Sequence, residues 1–449
     1  MKIVIIGAGV VGTTLAKYLA GHQNSVTVIE LDPTVATAAN NRLDVSVVTG
    51  SGALPSVLKS AGLKKADMLI AVTPDDGTNL LACAIAKQFG VRKRIARIRS
   101  DEYIGIPSEL DLEELGVSIV VQPENEVVER IRQIVELPDV TQTANLQDES
   151  VYMRGYILRE GMPLCGIKLS DFNQHPHYSP VFIVTVIRQG RALIPSGDLS
   201  LCAGDEIIAV MPKTAFGNFK RLLNVDEHKL GKVIVYGDSV IATKLAVALR
   251  SDVKRVVLVD PDEVHAREVA SQYDGIEVLH GDCTNSEVLQ EIKAGSSDYF
   301  IAATKDGEDN IVSALMAKAE GARHVAAIRD DSRYASLFET MGLNHIINPR
   351  KITSAKILES IHLLPMGSLI KLKNLDLEIT HFQANGSSKI IGKPLKDFRL
   401  LDSKEIIVAC ILRGDQLILP DGETVINDED RVMVLCPKKS VATAKKLFI

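Results

Sequence analysis

The stretch "KIVIIGAGVVGTTLA" at residues 2–16 decides how this chain of 449 residues folds. Ile3 to Ile6 form a β-branched run that reads as a buried strand. The glycines at 7, 9 and 12 mark a tight turn, and the residues after them open a helix. A strand feeding a glycine turn and a helix is the first half of a βαβ unit, the building block of parallel sheets. The same arrangement returns as "KVIVYGDSVIATKLA" at residues 232–246, where only Gly237 of the three turn glycines is kept. Asp238 stands where a phosphate is expected to lie, so the second copy reads as a damaged version of the first.

The two stretches belong to a long internal repeat. Glu30 of "VTVIELDP" corresponds to Asp260 of "VVLVDPDE", and Asn79 and Asn310 each sit six residues after a threonine, Thr73 and Thr304. "RIARIRSDEY" corresponds to "HVAAIRDDSR", which pairs Arg97 with Ala327. Offsets of 230 or 231 hold across roughly 100 residues, so the chain is a duplication. In each copy, short β-branched strands alternate with helical stretches. The fold class is therefore α/β, with two tandem Rossmann-like, doubly wound parallel-sheet domains. Behind each copy lies a segment of short strands and hairpin turns, with "RQG" in one and "RGD" in the other, that reads as a small β-rich domain. The expected domains are 1–138, 150–213, 231–365 and 376–437. The polar stretches "TQTANLQDES" and "NVDEHKLG" read as the joints between them.

Composition narrows the function classes. Hydrophobic residues make up 46% and charged residues 24%, a globular mix, and no apolar run is long enough to cross a bilayer. "IVII" is too short for the core of a signal peptide, so the chain is expected to start inside its first domain and to stay in the cytosol. The six cysteines are scattered without a C-x-x-C pair, which fits reduced thiols better than disulfides or a zinc site. A net charge of −6 and the absence of Trp argue against a nucleic-acid partner.

In its strand–turn–helix setting the turn Gly7-Ala8-Gly9-Val10-Val11-Gly12 carries a mechanism. Gly7 makes the turn, Gly9 lets the backbone approach a pyrophosphate, and Gly12 packs helix against strand. The helix N-terminus offers free N–H groups and partial positive charge to phosphates. Such turns also serve packing alone, but Glu30 follows 18 residues after Gly12, where a carboxylate accepts the ribose hydroxyls of an adenosine and repels a 2′-phosphate. That favours NAD over NADP. Further contacts are expected at later strand ends: Thr49, Gly50 and Ser51, then Thr73 and Pro74, then Arg97 or Arg99. Asp75 and Asp76 read as turn and helix-start residues. His175 and His177 read as members of an exposed loop. No catalytic or metal-binding residue is assigned, because hydride transfer needs a proton donor or acceptor beside the nicotinamide and none accompanies this site. An NAD-dependent oxidoreductase and a nucleotide-binding scaffold without a channel partner remain the alternatives.

Through "GAGVVGTTLA", "ADMLIAVTPDDGTNLLACAIAK" and "RIARIRSDEY", and through the α/β, β, α/β, β order, the whole chain resembles the TrkA family. Its members are peripheral subunits of Trk potassium uptake systems, built from two tandem RCK-N/RCK-C units, also called KTN domains. The resemblance implies a regulatory protein that binds NAD+ or NADH, and ATP or ADP as alternative effectors, without turning them over. It implies a cytoplasmic protein at the inner face of the membrane, attached to a TrkH-like potassium-translocating subunit and assembled as a homotetramer. The nucleotide would favour one of two ring geometries. By motif position Gly7 to Val11, Glu30, Thr73, Pro74 and Arg97 become nucleotide contacts, and Glu124 lies near the nucleotide or a divalent ion. "NEVVERIRQIVEL" becomes the crossover helix between paired units. Independently of that role, Val127, Val128, Ile131, Ile134 and Val135 form an apolar stripe at helical spacing. In the second unit Ala242 is expected to replace Gly12 without harm. Ser239, Asp238, the loss of Arg97's counterpart and Arg350 in place of Glu124 all argue against a dinucleotide there. Asp260 alone keeps a ribose-binding character.

Overall fold

A computed structural model of the chain describes all residues except 22–23, 105–109, 138–139, 147–149, 175–179, 194, 196, 225–229, 332–334, 344, 362–376, 387, 399–405, 415, 419, 421, 438–439 and 449. The loop histidines His175 and His177 lie outside the described residues. The chain divides into two compact units: residues 1–132 with 229–361, and residues 133–228 with 362–449. Like domains of the two repeats therefore group together, α/β with α/β and β with β.

The first α/β domain runs β1 (Lys2–Ile6), α1 (Val10–Ala20), β2 (Ser25–Glu30), α2 (Pro33–Arg42), β3 (Ser46–Thr49), α3 (Pro55–Ser60), β4 (Met68–Ala71), α4 (Asp76–Gln88), β5 (Lys93–Arg97), β6 (Ile119–Val121) and α5 (Pro123–Glu136). Its six strands are parallel in the order β3-β2-β1-β4-β5-β6, with the reversal between β1 and β4. That reversal opens the crevice where ligands bind in open α/β sheets. Ile3 to Ile6 and Met68 to Ala71 are buried, as strands covered on both faces must be. Burying each such Val, Leu or Ile is worth about 1.5–3 kcal/mol. Helix starts are set by side chains: Asp32 accepts from Thr34 and Val35 N–H groups, and Asp75 accepts from Thr78 N–H. All five residues of the apolar stripe on α5 are buried within the chain.

Between the two α/β domains lie, in chain order, β7 (Val140–Leu146), β8 (Val151–Ile157), α6 (Leu169–Gln174), β9 (Phe182–Arg188), β10 (Arg191–Leu193), β11 (Glu206–Pro212) and α7 (Phe216–Leu222). The stretch expected to be a joint at 141–150 is mostly strand: β7 pairs antiparallel with β8 along its length and forms the edge of a five-stranded sheet. Its polar residues suit that edge, and Thr143 Oγ1 donates to Gln133 Oε1 at 3.0 Å.

The second α/β domain repeats the first as β12 (Leu230–Tyr236), α8 (Val240–Leu249), β13 (Val253–Asp260), α9 (Glu263–Gln272), β14 (Glu277–His280), α10 (Ser286–Glu291), β15 (Tyr299–Ala302), α11 (Gly307–Ala319), β16 (His324–Ile328), α12 (Ala335–Thr340), β17 (His345–Ile347) and α13 (Pro349–Ser360). The strand order β14-β13-β12-β15-β16-β17 reproduces the first sheet. Within this unit α1 packs against α13, and the domains are tied by Lys244 to Asp101 at 2.8 Å and Arg132 to Asp252 at 2.8 Å.

The last segment holds β18 (Leu377–Gln383), β19 (Ile407–Arg413), β20 (Gln416–Ile418), β21 (Arg431–Pro437) and α14 (Val441–Phe448). The two β domains share one core, in which Val151, Met153, Ile208 and Val210 of one sheet meet Cys410, Leu412, Met433 and Leu435 of the other. The arginines of the "RQG" and "RGD" turns do more than turn the chain. Arg188 grips Asp205 with two bonds of 2.7 and 2.8 Å, and Arg413 grips Asp430 at 3.0 and 2.8 Å. Each aspartate also accepts a backbone N–H, from Cys202 and Asn427 respectively.

Burial pushes the Asp205 carboxyl up, but the Arg188 bonds and the Cys202 N–H outweigh it and hold the pKa below the usual value. A depressed folded pKa adds stability that is present above the unfolded pKa of about 3.9 and lost as pH falls through the lower folded value. The β unit should therefore lose stability in urea below about pH 4, and Asp205→Asn should flatten that acid limb. An acid limb of the same steepness in the variant would remove Asp205 as its cause.

Candidate functional site

The carboxyl ends of β1, β2, β4 and β5 converge on the glycine turn. Gly7 adopts φ +100°, and its N–H donates to Ile29 O at 2.8 Å, which locks the turn to the end of β2. In this turn Gly12 leaves no room for a side chain, since a Cβ there would stand 1.8 Å from Gly7 O. Gly9 differs: its φ of −65° suits any residue, and a Cβ would meet nothing within 4 Å. The space over Gly9 is open, and no side chain caps α1. The N-terminal N–H groups of α1 are thus left for an anion.

Glu30 stands beside this opening. Its Oε2 accepts from Ala8 N–H at 2.6 Å and its Oε1 from Asp32 N–H at 3.0 Å, so the carboxylate is fixed at the lip of the turn. Thr49 is in register with Glu30 at the end of β3, and Gly50 N–H donates to Glu30 O at 2.8 Å. Ser51 Oγ accepts from Ala53 N–H. The expected residues Gly7 to Gly12, Glu30 and Thr49 to Ser51 therefore lie next to one another at the carboxyl ends of β1, β2 and β3.

The opposite wall depends on Asn79, a residue the sequence marked only as a repeat signal. Fully buried, it accepts from Thr73 N–H (3.0 Å) and Thr73 Oγ1 (2.8 Å), and donates to Thr73 O (3.0 Å) and Arg97 O (2.8 Å). This bracket holds the ends of β4 and β5 together and orients Thr73, Pro74 and Arg97. The signal was available in the fixed six-residue spacing from threonine. Asp75 is the cap of α4, while Asp76 Oδ2 accepts from both Arg99 and Ser100 N–H groups at 2.9 Å. Among the described residues Arg97 has no carboxylate within ion-pair distance: its Nη1 donates to Thr73 O at 3.5 Å, and its buried Nε has no hydrogen-bond partner. Burial, then the neighbouring Arg99 charge, lowers its pKa. Arg99 instead pairs with Glu124 at 2.8 Å, whose other oxygen is buried without a partner.

The second copy fills the same features from within. Ser239, in the place of Gly9, caps α8 by accepting from Ala242 N–H at 3.1 Å and donates to Ala303 O. Asp238 is met by Lys305 Nζ at 2.8 Å, so its charge is spent internally. Burial raises the Asp238 pKa, and the Lys305 bond and charge more than reverse this. Asp260 is fully buried and occupied, with Oδ1 accepting from Asp262 N–H at 2.8 Å and Oδ2 against His265 Nδ1 at 2.5 Å. Its expected ribose-binding character meets a carboxylate already held inside the domain.

One expectation about the second copy needs correcting. Ala71 pairs with Ala96 as Ala302 pairs with Ala327, and Asn310 donates to Ile328 O as Asn79 does to Arg97 O. The counterpart of Arg97 is therefore Ile328, not Ala327; the pairing slips by one residue because strand register, not letter similarity, sets it. The cation is missing either way. The expected replacement of Gly12 by Ala242 is accommodated in the second copy, where Ala242 is buried in the first turn of α8, whereas in the first copy a Cβ at Gly12 would stand 1.8 Å from Gly7 O. The second copy accommodates Ala242 with a reshaped turn, in which Gly237 moves to φ +149°. Among the described residues no group of His, Cys, Asp and Glu is placed to hold a metal ion, and no helix is long and apolar enough to cross a membrane.

Comparison with known proteins agrees with this architecture. The TrkA-N domain model matches residues 3–123 and 233–349, and the TrkA-C domain model matches 153–224 and 384–449. The Trk system potassium uptake protein TrkA of Azorhizobium caulinodans is 31% identical over 453 residues, covering 100% of this chain and 98% of that protein. The TrkA homolog 2 of Methanosarcina mazei is 29% identical over 456 residues, with full coverage of both. Among solved structures, the GsuK RCK domain aligns with a TM-score of 0.62 at 16% identity, covering 100% of this chain and 94% of that one. The GsuK channel bound to NAD aligns with a TM-score of 0.63 at 17% identity, covering 100% and 78%. At these identities the structural matches bear on fold alone.

Proposed function

Since this chain belongs to the TrkA family of Trk-system potassium uptake proteins, we propose that it is the nucleotide-sensing regulatory subunit of a potassium uptake system. The first α/β domain binds NAD+ or NADH, with ATP and ADP as alternative effectors, and holds them without chemistry. The observation that carries this reading is the uncapped N-terminus of α1 under the open space at Gly9, with Glu30 fixed at its lip. The diphosphate lies on the N–H groups of α1, the ribose hydroxyls donate to Glu30, and Thr49 to Ser51, Thr73, Pro74 and Arg97 complete the walls. The second α/β domain keeps the fold with its turn capped by Ser239 and closed by Asp238 and Lys305, which supports one dinucleotide per chain.

Nucleotide binding favours one arrangement of the paired α/β domains over another and passes that bias to a membrane-embedded, TrkH-like potassium-translocating partner. The chain acts on the cytoplasmic face as a homo-oligomer, a tetramer in its working form. Calorimetric titration with NADH, NAD+, ATP and ADP should give saturable binding near one equivalent per chain, and the nicotinamide absorbance of NADH should stay constant. Absence of binding by all four overturns the reading. Steady oxidation of NADH would replace it with an enzyme.

A further inference from the structure

The six cysteines are free thiols of two kinds. Cys83, Cys283, Cys410 and Cys436 are buried, and burial pushes the thiols of Cys83 and Cys410 up to about 12, which leaves them inert. Cys165 is half-buried and Cys202 exposed, both in the first β domain. Backbone pairing brings these two together. Lys168 and Ser200 form an antiparallel bridge, in which Leu169 N–H donates to Leu199 O at 2.9 Å and Leu201 N–H to Ile167 O at 3.0 Å. One step further out, Gly166 N–H donates to the Leu201 carbonyl at 2.8 Å from a φ of +89°. Gly166 and Ile167 thus both oppose Leu201, the arrangement of a glycine bulge. The next residues outward, Cys165 and Cys202, face each other across the two chain segments. Facing residues of antiparallel segments stand with Cα atoms about 4.5–5.5 Å apart, inside the range that a disulfide spans. Burial, and then the charge of the nearby Cys202, raise the Cys165 pKa. The second β domain keeps the same turn without thiols. Gly392 N–H donates to Ile426 O at 3.1 Å and Asn427 N–H to Asp430, as Gly166 does to Leu201 and Cys202 to Asp205. Ile391 and Asn427 therefore take the places of the two cysteines, and the fold does not need sulfur there.

We propose that Cys165 and Cys202 form a redox site, two free thiols that hydrogen peroxide converts to one intrachain disulfide and a dithiol reductant restores. The site stands apart from the nucleotide reading of the first α/β domain. Each sulfur makes only a weak contact, Cys165 Sγ donating to Arg159 O at 3.2 Å and Cys202 Sγ to Ser200 O at 3.7 Å. The exposed Cys202 meets the oxidant first, with the Arg188 guanidinium acting on it as an opposite charge. Its thiolate, the reacting form, attacks one peroxide oxygen. An S–O bond forms, the O–O bond breaks, and the departing hydroxide carries off the Cys202 proton as water. The Cys165 sulfur then attacks the Cys202 sulfenic acid. The S–S bond forms, the S–O bond breaks, and hydroxide leaves with the Cys165 proton as a second water. The two thiols give up two electrons, and one peroxide is reduced to two waters. The new bond closes a ring through residues 165–202. It ties the turn at 159–166 to the one that presents Asp205 to Arg188.

The test treats the reduced full chain with hydrogen peroxide and follows it by thiol titration and by mass spectrometry of unreduced peptides. Wild type should lose two of its six titratable thiols and regain both with dithiothreitol. Its digest should hold a linked pair of peptides, joined through Cys165 and Cys202 and lighter by two hydrogens than the separate pair. Cys165→Ser removes the second thiol, so Cys202 should stop at a sulfenic acid that a dimedone probe captures in higher yield than in wild type. The double variant Cys165→Ile with Cys202→Asn carries the residues of the second copy, and should stay folded and lose no thiol under the same treatment. A wild-type chain that keeps all its thiols overturns the proposal. So does a disulfide that joins two chains, or a Cys202 that passes to sulfinic acid in wild type without a link to Cys165. Equal thiol loss in the double variant also overturns it, because the reaction would then lie at the buried cysteines.

Discussion

Gly9→Asp should lower nucleotide affinity by at least about 100-fold, or ~2.7 kcal/mol, while the protein stays folded. The backbone at Gly9 sits at φ −65° and ψ −175°, which aspartate adopts without strain, and the space where its Cβ would go is empty. Its carboxylate would do what Ser239 does in the second domain, accepting the helix N–H groups that otherwise meet a phosphate. Aspartate is among the best helix caps, so the melting temperature should hold or rise slightly, in line with about 1 kcal/mol for a new cap. Charge repulsion with a diphosphate then adds to the lost donors. Calorimetric titration and thermal melting of the same sample decide the matter. Affinity within about threefold of wild type would mean that phosphates do not lie on this helix.

The second large effect is expected at Asn79. Asn79→Ala removes four hydrogen bonds and strands the part-buried Thr73 and Arg97 groups they served. At about 1 kcal/mol net per bond the loss is about 4 kcal/mol, with the penalty for groups left unsatisfied added to it. For domains of this size that lowers the melting temperature by about 10 °C. Asn310→Ala breaks the matching bracket in the second domain and should cost a similar amount. The two variants separate on binding: Asn79→Ala should also weaken nucleotide affinity, because it releases Thr73 and Arg97, whereas Asn310→Ala should not. Equal effects of both on affinity would show that the bracket acts through global stability alone.

The parallel-sheet class and the duplication were legible because buried parallel strands leave continuous β-branched runs, and because "GAGVVG" and Glu30 recur at fixed offset as "GDSVIA" and Asp260. The side-chain work inside the second copy was not legible. Ser239 as a cap and Lys305 as the partner of Asp238 involve residues that meet only when the chain folds, the latter 67 positions apart. The strand at 140–146 was missed because its polar residues sit at a sheet edge, where alternation of apolar residues is weak. The ion pairs of the β domains hid for a related reason: an arginine beside a hairpin glycine and an aspartate in a later turn each look like ordinary loop chemistry. Nor does one sequence show that like domains group across the repeat, since chain order places unlike domains side by side.

Glu124 and Arg350 hold equivalent positions, each directly after the proline that begins α5 and α13, and both border the same cavity. In a protein made of two separate identical halves, symmetry would bring the same residue to the axis from both sides, two carboxylates or two guanidinium groups. Like charges would then meet and need a counterion supplied from solution. Duplication within one chain lifts that constraint, because each half mutates on its own and an acid can face a base. Covalent fusion is thus what allows the two halves to specialise, and any attempt to split this chain into a pair of identical subunits forfeits that asymmetry.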